Sequence, residues 1–152
     1  MSFQMPITIA KVIREIQAKR YVLPAIQREF VWSAEQIEKL FDSLMRGYPI
    51  GSFLFWKIDP QSLDSFRFYR FMDRYHQRDH KHNEPIGLVG NHNTIAVLDG
   101  QQRLTALNIG LKGWYAYKLP WYRWSSAYAF PVSIDYEELV GPGAFIKTMI
   151  TL

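Results

Sequence analysis

Apolar residues recur at helical spacing in two segments near the start of the chain. In the first, Thr8 is a suitable N-cap and the apolar positions that follow lie on one face, which predicts a helix over 8–19. In the second, Ser33 and Gln36 form a capping-box pattern ahead of an apolar stripe, and Gly47 supplies a stop. Both segments therefore predict amphipathic helices that bury one face.

Short apolar runs between turn-forming residues predict the strands. Residues 21–23 form a brief β-like run ahead of Pro24, and residues 52–58 are apolar nearly throughout, which is typical of a strand buried on both faces. Residues 94–98 form another such strand, and the helical pattern of 104–111 follows it. Helices and strands in this order indicate a mixed α/β arrangement of the α+β class, with a small mixed sheet flanked by helices.

Two segments depart from this alternation. Residues 59–93 are polar and rich in Arg and His, and we interpret them as an insertion that carries a short helix or a hairpin. Residues 114–152 are rich in aromatic side chains and include one predicted strand at 129–134, so we interpret them as an extension that could begin a helical region. We accordingly divide the chain into a domain over 1–113, which contains the insertion, and the extension.

Composition narrows the class of protein. The 152 residues are 48% hydrophobic and 21% charged, which is typical of a globular protein. Cysteine is absent, which excludes disulfides, thiolate metal sites and cysteine nucleophiles. The sequence shows no signal-peptide pattern and no apolar run of membrane-spanning length, so we expect a cytoplasmic protein without a membrane partner. The net charge of +4 favours anionic partners, such as nucleotides or nucleic acid.

The sequence Asp99-Gly100-Gln101-Gln102-Arg103 follows a predicted strand and opens a predicted helix. The first N–H groups of a helix lack partners within it and carry partial positive charge, so this turn is suited to an anion, and Gly100 would let a phosphate approach the backbone. Arg103 supplies planar donors for phosphate oxygens, while Gln101 and Gln102 could bind phosphate or orient water. Asp99 could hold Mg²⁺ or position a nucleophilic water. The alternative is a tight turn that only caps a helix, with Arg103 solvated.

A second group of candidate residues lies in the segment 24–32. Arg28 could bind a phosphate or the DNA backbone, and Gln27 could hydrogen-bond a base or a ribose. Phe30 and Trp32 offer faces for stacking. Equally, the two aromatic residues could be ordinary core, and Arg28 could pair with an acidic residue on the surface.

Three segments, in order over about 23–111, resemble the N-terminal domain of GmrSD-type modification-dependent restriction proteins, which is similar to the ParB/sulfiredoxin-like superfamily. The matching positions are Gln27-Arg28-x-Phe30-x-Trp32, Asp42-Ser43-Leu44-x-x-Gly47-x-Pro49-Ile50-Gly51 and Leu98-Asp99-Gly100-Gln101-Gln102-Arg103-Leu104-Thr105. Sulfiredoxins place a cysteine in the turn equivalent to 99–103, and the absence of cysteine here excludes sulfinic acid reduction.

The resemblance implies a domain that binds and hydrolyses a nucleoside triphosphate, with Mg²⁺ as cofactor. The implied catalytic residues are Asp99, Gln101, Gln102 and Arg103, and the implied nucleotide or phosphate ligands are Gly100, Arg103, Thr105, Gln27 and Arg28. In related defence proteins, hydrolysis is coupled to the sensing of modified DNA, and a separate C-terminal nuclease domain cuts the DNA. We therefore expect DNA as a partner of the full system and no DNA cleavage by this chain alone.

The alternative function is a ParB-like DNA-binding module without nucleotide hydrolysis. Arginines at positions 67, 70, 74 and 78 recur every three or four residues. On a helix, Arg67, Arg70, Arg74 and Arg78 would form a basic stripe that could contact the DNA backbone. The competing interpretation of the same residues is a solvated amphipathic face.

Three further interpretations stay open. Phosphoryl transfer to a small substrate would need a second carboxylate near the turn, which Glu29 or Asp42 could supply. His76 and His80 lie four positions apart, a spacing that suits zinc if both share a helix face. The aromatic residues of the extension could contact a second copy of the chain, which would make the protein a homo-oligomer.

Overall fold

The computed structural model describes residues 2–3, 5–26, 29–88, 93–118, 128–130 and 145–151, with side chains in 5–26, 29–88 and 93–118. Its elements, in chain order, are β1 Ser2–Phe3, β2 Ile7–Thr8, α1 Ile9–Gln17, β3 Tyr21–Pro24, α2 Ala34–Met45, β4 Ser52–Lys57, a 3-10 helix Pro60–Ser65, β5 Phe68–Tyr69, β6 Arg74–His76, β7 Pro85–Ile86, β8 Ile95–Asp99, α3 Gln101–Lys112, β9 Trp114–Tyr117, β10 Tyr128–Phe130 and β11 Phe145–Thr151.

A mixed sheet forms the centre of the fold. Its strands lie in the order β1-β11-β4-β8-β3-β5-β7, and β2 also pairs with β11. Strand β8 is antiparallel to β4 on one side and parallel to β3 on the other. Helix α3 packs against α1 and α2, and residues of all three helices share one hydrophobic core with β4 and β8. The α+β class and the mixed sheet predicted from the sequence are confirmed.

Local capping signals place the first two helices as predicted. The hydroxyl of Thr8 accepts a hydrogen bond from the backbone N–H of Lys11 at the start of α1. At the start of α2, Ser33 and Gln36 form both hydrogen bonds of the capping box. Since capping satisfies N–H groups that a helix leaves without partners, these residues fix where each helix begins.

Strand β4 differs from its prediction, because only one of its faces is fully buried. Phe53 and Phe55 are each 1% exposed in the main core, whereas Leu54 and Trp56 are half-buried. Trp56 packs on a smaller second cluster that the insertion helps to build through Phe68. The second face of the strand is thus covered by this small cluster and stays partly exposed.

Within 59–88 the insertion contains a 3-10 helix and short strands but no α-helix, so the helix assumed for a basic stripe over Arg67, Arg70, Arg74 and Arg78 is absent there. The predicted contact of these arginines with DNA stays a prediction. After the 3-10 helix, the chain runs through short strands, which lets Phe68 enter the second cluster while Phe71 and Met72 enter the main core. Short extended segments can bury side chains on alternate sides, which one helix face cannot do.

Two of these four arginines form ion pairs with acidic side chains. Arg70 contacts Glu84 at 3.1 Å, and Arg78 contacts Asp79 at 2.7 Å. His76 and His80 pair across a tight turn after β6, and His76 Nδ1 accepts a hydrogen bond from the N–H of Asp79. The shared helix face assumed for a zinc site is therefore wrong. Among the side chains that the structure describes, no three His, Asp or Glu residues converge on a metal position.

The described parts of the extension are strands that pair with earlier parts of the chain. Strand β9 lies parallel to β6 of the insertion, and β11 lies parallel to β4 in the central sheet. Strand β10 overlaps the predicted strand at 129–134, of which 131–134 lie outside the described residues. The division of the chain after residue 113 stays a prediction.

None of the helices in the described ranges has both the length and the apolar character needed to cross a membrane.

Candidate functional site

The predicted strand–turn–helix element is present between β8 and α3. Strand β8 ends at Asp99, Gly100 has a left-handed φ of +84°, and α3 begins at Gln101. A Cβ atom on Gly100 would lie 2.3 Å from the ring of Phe53 in the core. The turn therefore requires glycine, both for its backbone conformation and for the space beside Phe53.

Helix α3 begins differently from the other two α-helices. Its N-cap is Gly100, so it has no side-chain cap of the kind that Thr8 and Ser33 provide. Its first turn, like that of α1, contains no acidic residue. The N–H groups and the dipole at a helix start favour negative charge. This end of α3 opens on a shallow cleft of about 520 Å³. An anionic group is the ligand that such a helix end suits best.

Asp99 provides a carboxylate at the edge of this cleft. Its side chain is 71% exposed, and Oδ2 lies 3.7 Å from Nη2 of Arg103 one turn along α3. The pairing of β4 with β8 shifts register between Leu54 and Phe55, opposite the end of β8. Such irregularities often re-aim side chains next to functional sites. Asp99 is thus accessible to a ligand or a cation in the cleft.

Arg103 connects α3 to the residues that lead into β4. Its Nη1 donates to the carbonyl of Ile50, its Nη2 donates to the carbonyl of Ser52 at 2.9 Å, and its guanidinium lies 4.5 Å from the centre of the Phe53 ring. Gly51, with φ +88°, leaves room for the guanidinium. Through the contact with Ile50, the resembling segment 98–105 meets the resembling segment 42–51. The phosphate contact predicted for Arg103 stays a prediction.

Gln102 connects α3 to the segment that follows Arg28. Its Nε2 donates to the carbonyl of Glu29 at 2.8 Å, and its Oε1 accepts from the N–H of Val31 at 3.0 Å. The side-chain amide thus makes two hydrogen bonds with the loop backbone, one as donor and one as acceptor, as a paired β-strand does. Gln27 and Arg28 lie outside the described residues, so their predicted contacts stay predictions.

Gln101 occupies a position between two cavities. It is 8% exposed, and it lines both the cleft beside Asp99 and a second cavity of about 320 Å³. Thr105, one turn further along α3, is 2% exposed. Direct contact between Thr105 and a ligand would require that part of the helix to open, so its predicted role as a phosphate ligand also stays a prediction.

The aromatic residues of the 24–32 segment have different surroundings. Phe30 is 5% exposed in the main core, whereas Trp32 is half-buried and lines the cleft. The hydroxyl of Tyr115 donates to the carbonyl of Trp32 at 3.2 Å, and burial raises the pKa of Tyr115 to about 12. Tyr115 therefore stays protonated at neutral pH and helps to hold the wall of the cleft.

The carboxylates considered for phosphoryl transfer both have basic neighbours. Glu29 lines the second cavity and pairs with His82, and Asp42 on α2 pairs at 2.9 Å with Arg46, the residue that follows the helix. His82 belongs to the insertion, 53 positions from Glu29 along the chain. The hypothesis that Glu29 or Asp42 supplies a second carboxylate beside Asp99 stays a prediction.

Sequence reasoning missed the residues of the insertion that line the second cavity. Tyr69, His82 and Asn83 approach Gln101 and the end of β3 there. Polar residues in a polar segment are normally solvated, so composition gave no signal for them. Only their pairing with distant residues, such as Glu29, reveals the contact.

Comparison with known proteins identifies the family of the chain. Residues 9–145 match the family model described as "GmrSD restriction endonuclease, N-terminal domain". The chain is also similar to an uncharacterized protein of Methanocaldococcus jannaschii, with 33% identity over 124 residues. That alignment covers 82% of this chain and 20% of the relative, so the chain spans about a fifth of the relative's length. The family match includes the insertion and most of the extension, beyond the 23–111 segment that carried the sequence resemblance.

Proposed function

Since the chain belongs to the family of GmrSD restriction endonuclease N-terminal domains, we propose that it binds and hydrolyses a nucleoside triphosphate at residues 99–103. The observation that carries this proposal is the start of α3, which follows a strand end and the left-handed Gly100 and opens on the cleft. Its first turn has neither a side-chain cap nor an acidic residue to compete with a bound anion. Among anionic ligands, the family resemblance implies a nucleoside triphosphate.

Each residue of the turn has a separate task in this proposal. The phosphates lie at the N–H groups of α3, where the dipole offsets their charge. Asp99 orients the attacking water or holds Mg²⁺, and an exposed single carboxylate fits an ion that is commonly bound by one or two carboxylates together with phosphates and waters. When bound, Mg²⁺ supplies neutralisation of the phosphate charge.

Arg103 and Gln102 act mainly by positioning. Arg103 keeps its positive charge within 3.7 Å of Asp99 while its Nη atoms hold the backbone ahead of β4. Gln102 holds the loop that contains Glu29 and Val31. Gln101, which lines both cavities, is placed to contact either the phosphates or the attacking water. Gln27 and Arg28 complete the phosphate contacts in this proposal.

Replacement of Asp99 tests the proposal. Asp99→Ala should lower phosphate release from nucleoside triphosphates by about 100-fold or more, since a positioned acid–base group contributes at least that factor. The fold should persist, because the side chain is 71% exposed. Asp64→Ala removes an exposed carboxylate from the 3-10 helix and should leave turnover unchanged. Unchanged turnover in a folded Asp99→Ala protein would exclude the catalytic assignment.

We place DNA cleavage in another part of the system. The family resemblance implies a separate nuclease domain for cleavage, and the turn at 99–103 is suited to an anionic ligand. We further propose that this domain couples nucleotide turnover to recognition of modified DNA by the full system. A ParB-like DNA-binding role through the arginine stripe has less support, because Arg70 and Arg78 are paired with acidic residues.

A further inference from the structure

The second cavity lies next to the cleft at the start of α3. Its volume is about 320 Å³, at the lower end of the roughly 300–1,000 Å³ of small-molecule pockets. Gln101 lines both spaces, and the consecutive residues Ala25 and Ile26 line one each. A single ligand could therefore extend from the cavity to the N-terminus of α3.

The walls of this cavity combine apolar surfaces with polar side chains. Leu23, Pro24 and Ala25 supply apolar surface from the end of β3, and Tyr69 adds an aromatic side chain from the insertion. Gln101 and Asn83 add two amides. Pockets for small organic ligands are typically built in this way, with apolar walls and a few polar groups that fix orientation. A flat heterocycle with polar edges matches these walls.

Asn83 gives the clearest sign of a ligand. Its Oδ1 is buried, and it has no hydrogen-bond partner among the residues that the structure describes. A buried acceptor without a partner costs free energy, and most such groups in native proteins are satisfied. A ligand N–H group in the cavity would supply the missing donor. The ring and exocyclic nitrogens of nucleobases carry such donors.

A hydrogen bond between Glu29 and His82 forms part of the wall of this cavity. Both side chains line the cavity and are largely exposed, at 59% and 71%. The carbonyl of Glu29 is held by Gln102 from the first turn of α3. The wall of the cavity is thus tied to the same helix turn that we assign to the phosphates.

We propose that this cavity binds the base of the nucleotide whose phosphates lie at the start of α3, and that Asn83 Oδ1 accepts a hydrogen bond from an N–H group of that base. This assignment rests on the proposed function. It makes Asn83 a determinant of base preference, in a segment outside the resembling motifs. The base that binds best is expected to present an N–H donor toward Asn83.

Binding measurements with and without a base test this assignment. The 152-residue chain is titrated, with Mg²⁺, with the four common nucleoside triphosphates and with inorganic tripolyphosphate, which has no base. We expect at least one nucleotide to bind about tenfold more tightly than tripolyphosphate. Leucine has a similar volume to asparagine but no hydrogen-bond acceptor. Asn83→Leu should therefore lower the affinity for that nucleotide by about tenfold, the size of one hydrogen bond, and leave tripolyphosphate binding unchanged.

Two further variants serve as controls. Asn83→Asp keeps an oxygen acceptor at this position and should retain the preference for nucleotide over tripolyphosphate. Asn93→Leu makes the same substitution at an exposed position outside the lining of this cavity, and should bind like the unaltered chain. Thermal unfolding of each variant establishes that it is folded.

The remaining outcomes separate this inference from the proposed function. Equal affinities of the unaltered chain for nucleotides and tripolyphosphate would overturn the base pocket and leave the phosphate site in place. Failure to bind either ligand would overturn both. A parallel titration uses a single-stranded DNA oligonucleotide. If Asn83→Leu weakens the binding of this DNA and leaves nucleotide affinity unchanged, the cavity takes a base from DNA, and the assignment to the nucleotide is wrong.

Discussion

Gly100 and Gly47 both have left-handed backbone conformations, but their surroundings differ. Their φ angles are +84° and +73°. A Cβ atom on Gly100 would meet the Phe53 ring at 2.3 Å, whereas one on Gly47 would have no neighbour within 4 Å. Gly47 ends α2 and needs only the conformation, while Gly100 needs the conformation and the space.

This difference predicts unequal effects of alanine. Gly47→Ala should lower the free energy of unfolding by about 1–2 kcal/mol, the cost of a left-handed alanine. Gly100→Ala should cost about 1–3 kcal/mol more, because the buried Phe53 ring must also move. Urea denaturation of the two variants measures both values. Equal losses would mean that Phe53 does not constrain the turn.

Helix α3 organises the site at the scale of elements, because consecutive residues of its first turn contact different parts of the chain. Gln101 lines both cavities, Gln102 holds the loop at Glu29 and Val31, and Arg103 holds the backbone at the start of β4. A shift of α3 would therefore alter the cleft and the second cavity together.

Loss of the Gln102 amide should release the loop without unfolding the domain. In Gln102→Leu, the N–H of Val31 loses its acceptor, so its hydrogen exchange should accelerate by about tenfold, the size of one hydrogen bond. Gln36→Leu is the matched control, because it removes the side-chain acceptor of the Ser33 N–H in the α2 capping box instead. Unchanged exchange at Val31 would show that Gln102 does not hold the loop.

Sequence signals predicted the elements that depend on neighbouring residues. The caps at Thr8 and Ser33 and the turn at Gly100 are set within a few positions, and each is confirmed. The helix assumed for the arginine stripe was wrong, because spacing alone cannot distinguish a helix from short strands that bury residues on two sides. In this segment, Phe68 packs in the second cluster while Phe71 and Met72 pack in the main core, and these tertiary contacts outweigh the helical spacing of the arginines.

Contacts between distant positions were beyond the sequence signals. Arg103 binds carbonyls about fifty positions earlier, and Asn83 joins a cavity with Leu23 and Gln101. Neither contact leaves a periodic pattern in the chain. The motif at 99–103 indicated a candidate site, while the structure supplies the neighbours of each side chain there.

At the scale of the whole molecule, strands after residue 113 complete sheets begun before it. Strand β11 pairs with β4 over five residue pairs, from Lys147 with Ser52 to Thr151 with Trp56, and β9 pairs with β6. Removal of β11 would expose the edge of β4, whose unpaired backbone groups favour aggregation.

A chain that ends at residue 113 tests whether the division predicted from the sequence marks an independent domain. From the strand pairing, we expect the shortened chain to lose cooperative thermal unfolding, while the chain of 152 residues unfolds in one transition. Circular dichroism during heating, with light scattering to detect aggregation, measures both properties. A cooperative, soluble 1–113 chain would instead support the division.

The proposed function depends most on nucleotide binding at the start of α3, and thermal unfolding with added ligand measures this binding directly. With Mg²⁺ present, a nucleoside triphosphate should raise the unfolding temperature in a saturable way, by about 2.7 kcal/mol of added stability at 100 times Kd. Such a gain corresponds to several degrees, at about 2–4 °C per kcal/mol for a domain of this size. An unfolding temperature that stays constant for all four triphosphates up to millimolar concentration would contradict nucleotide binding at this site.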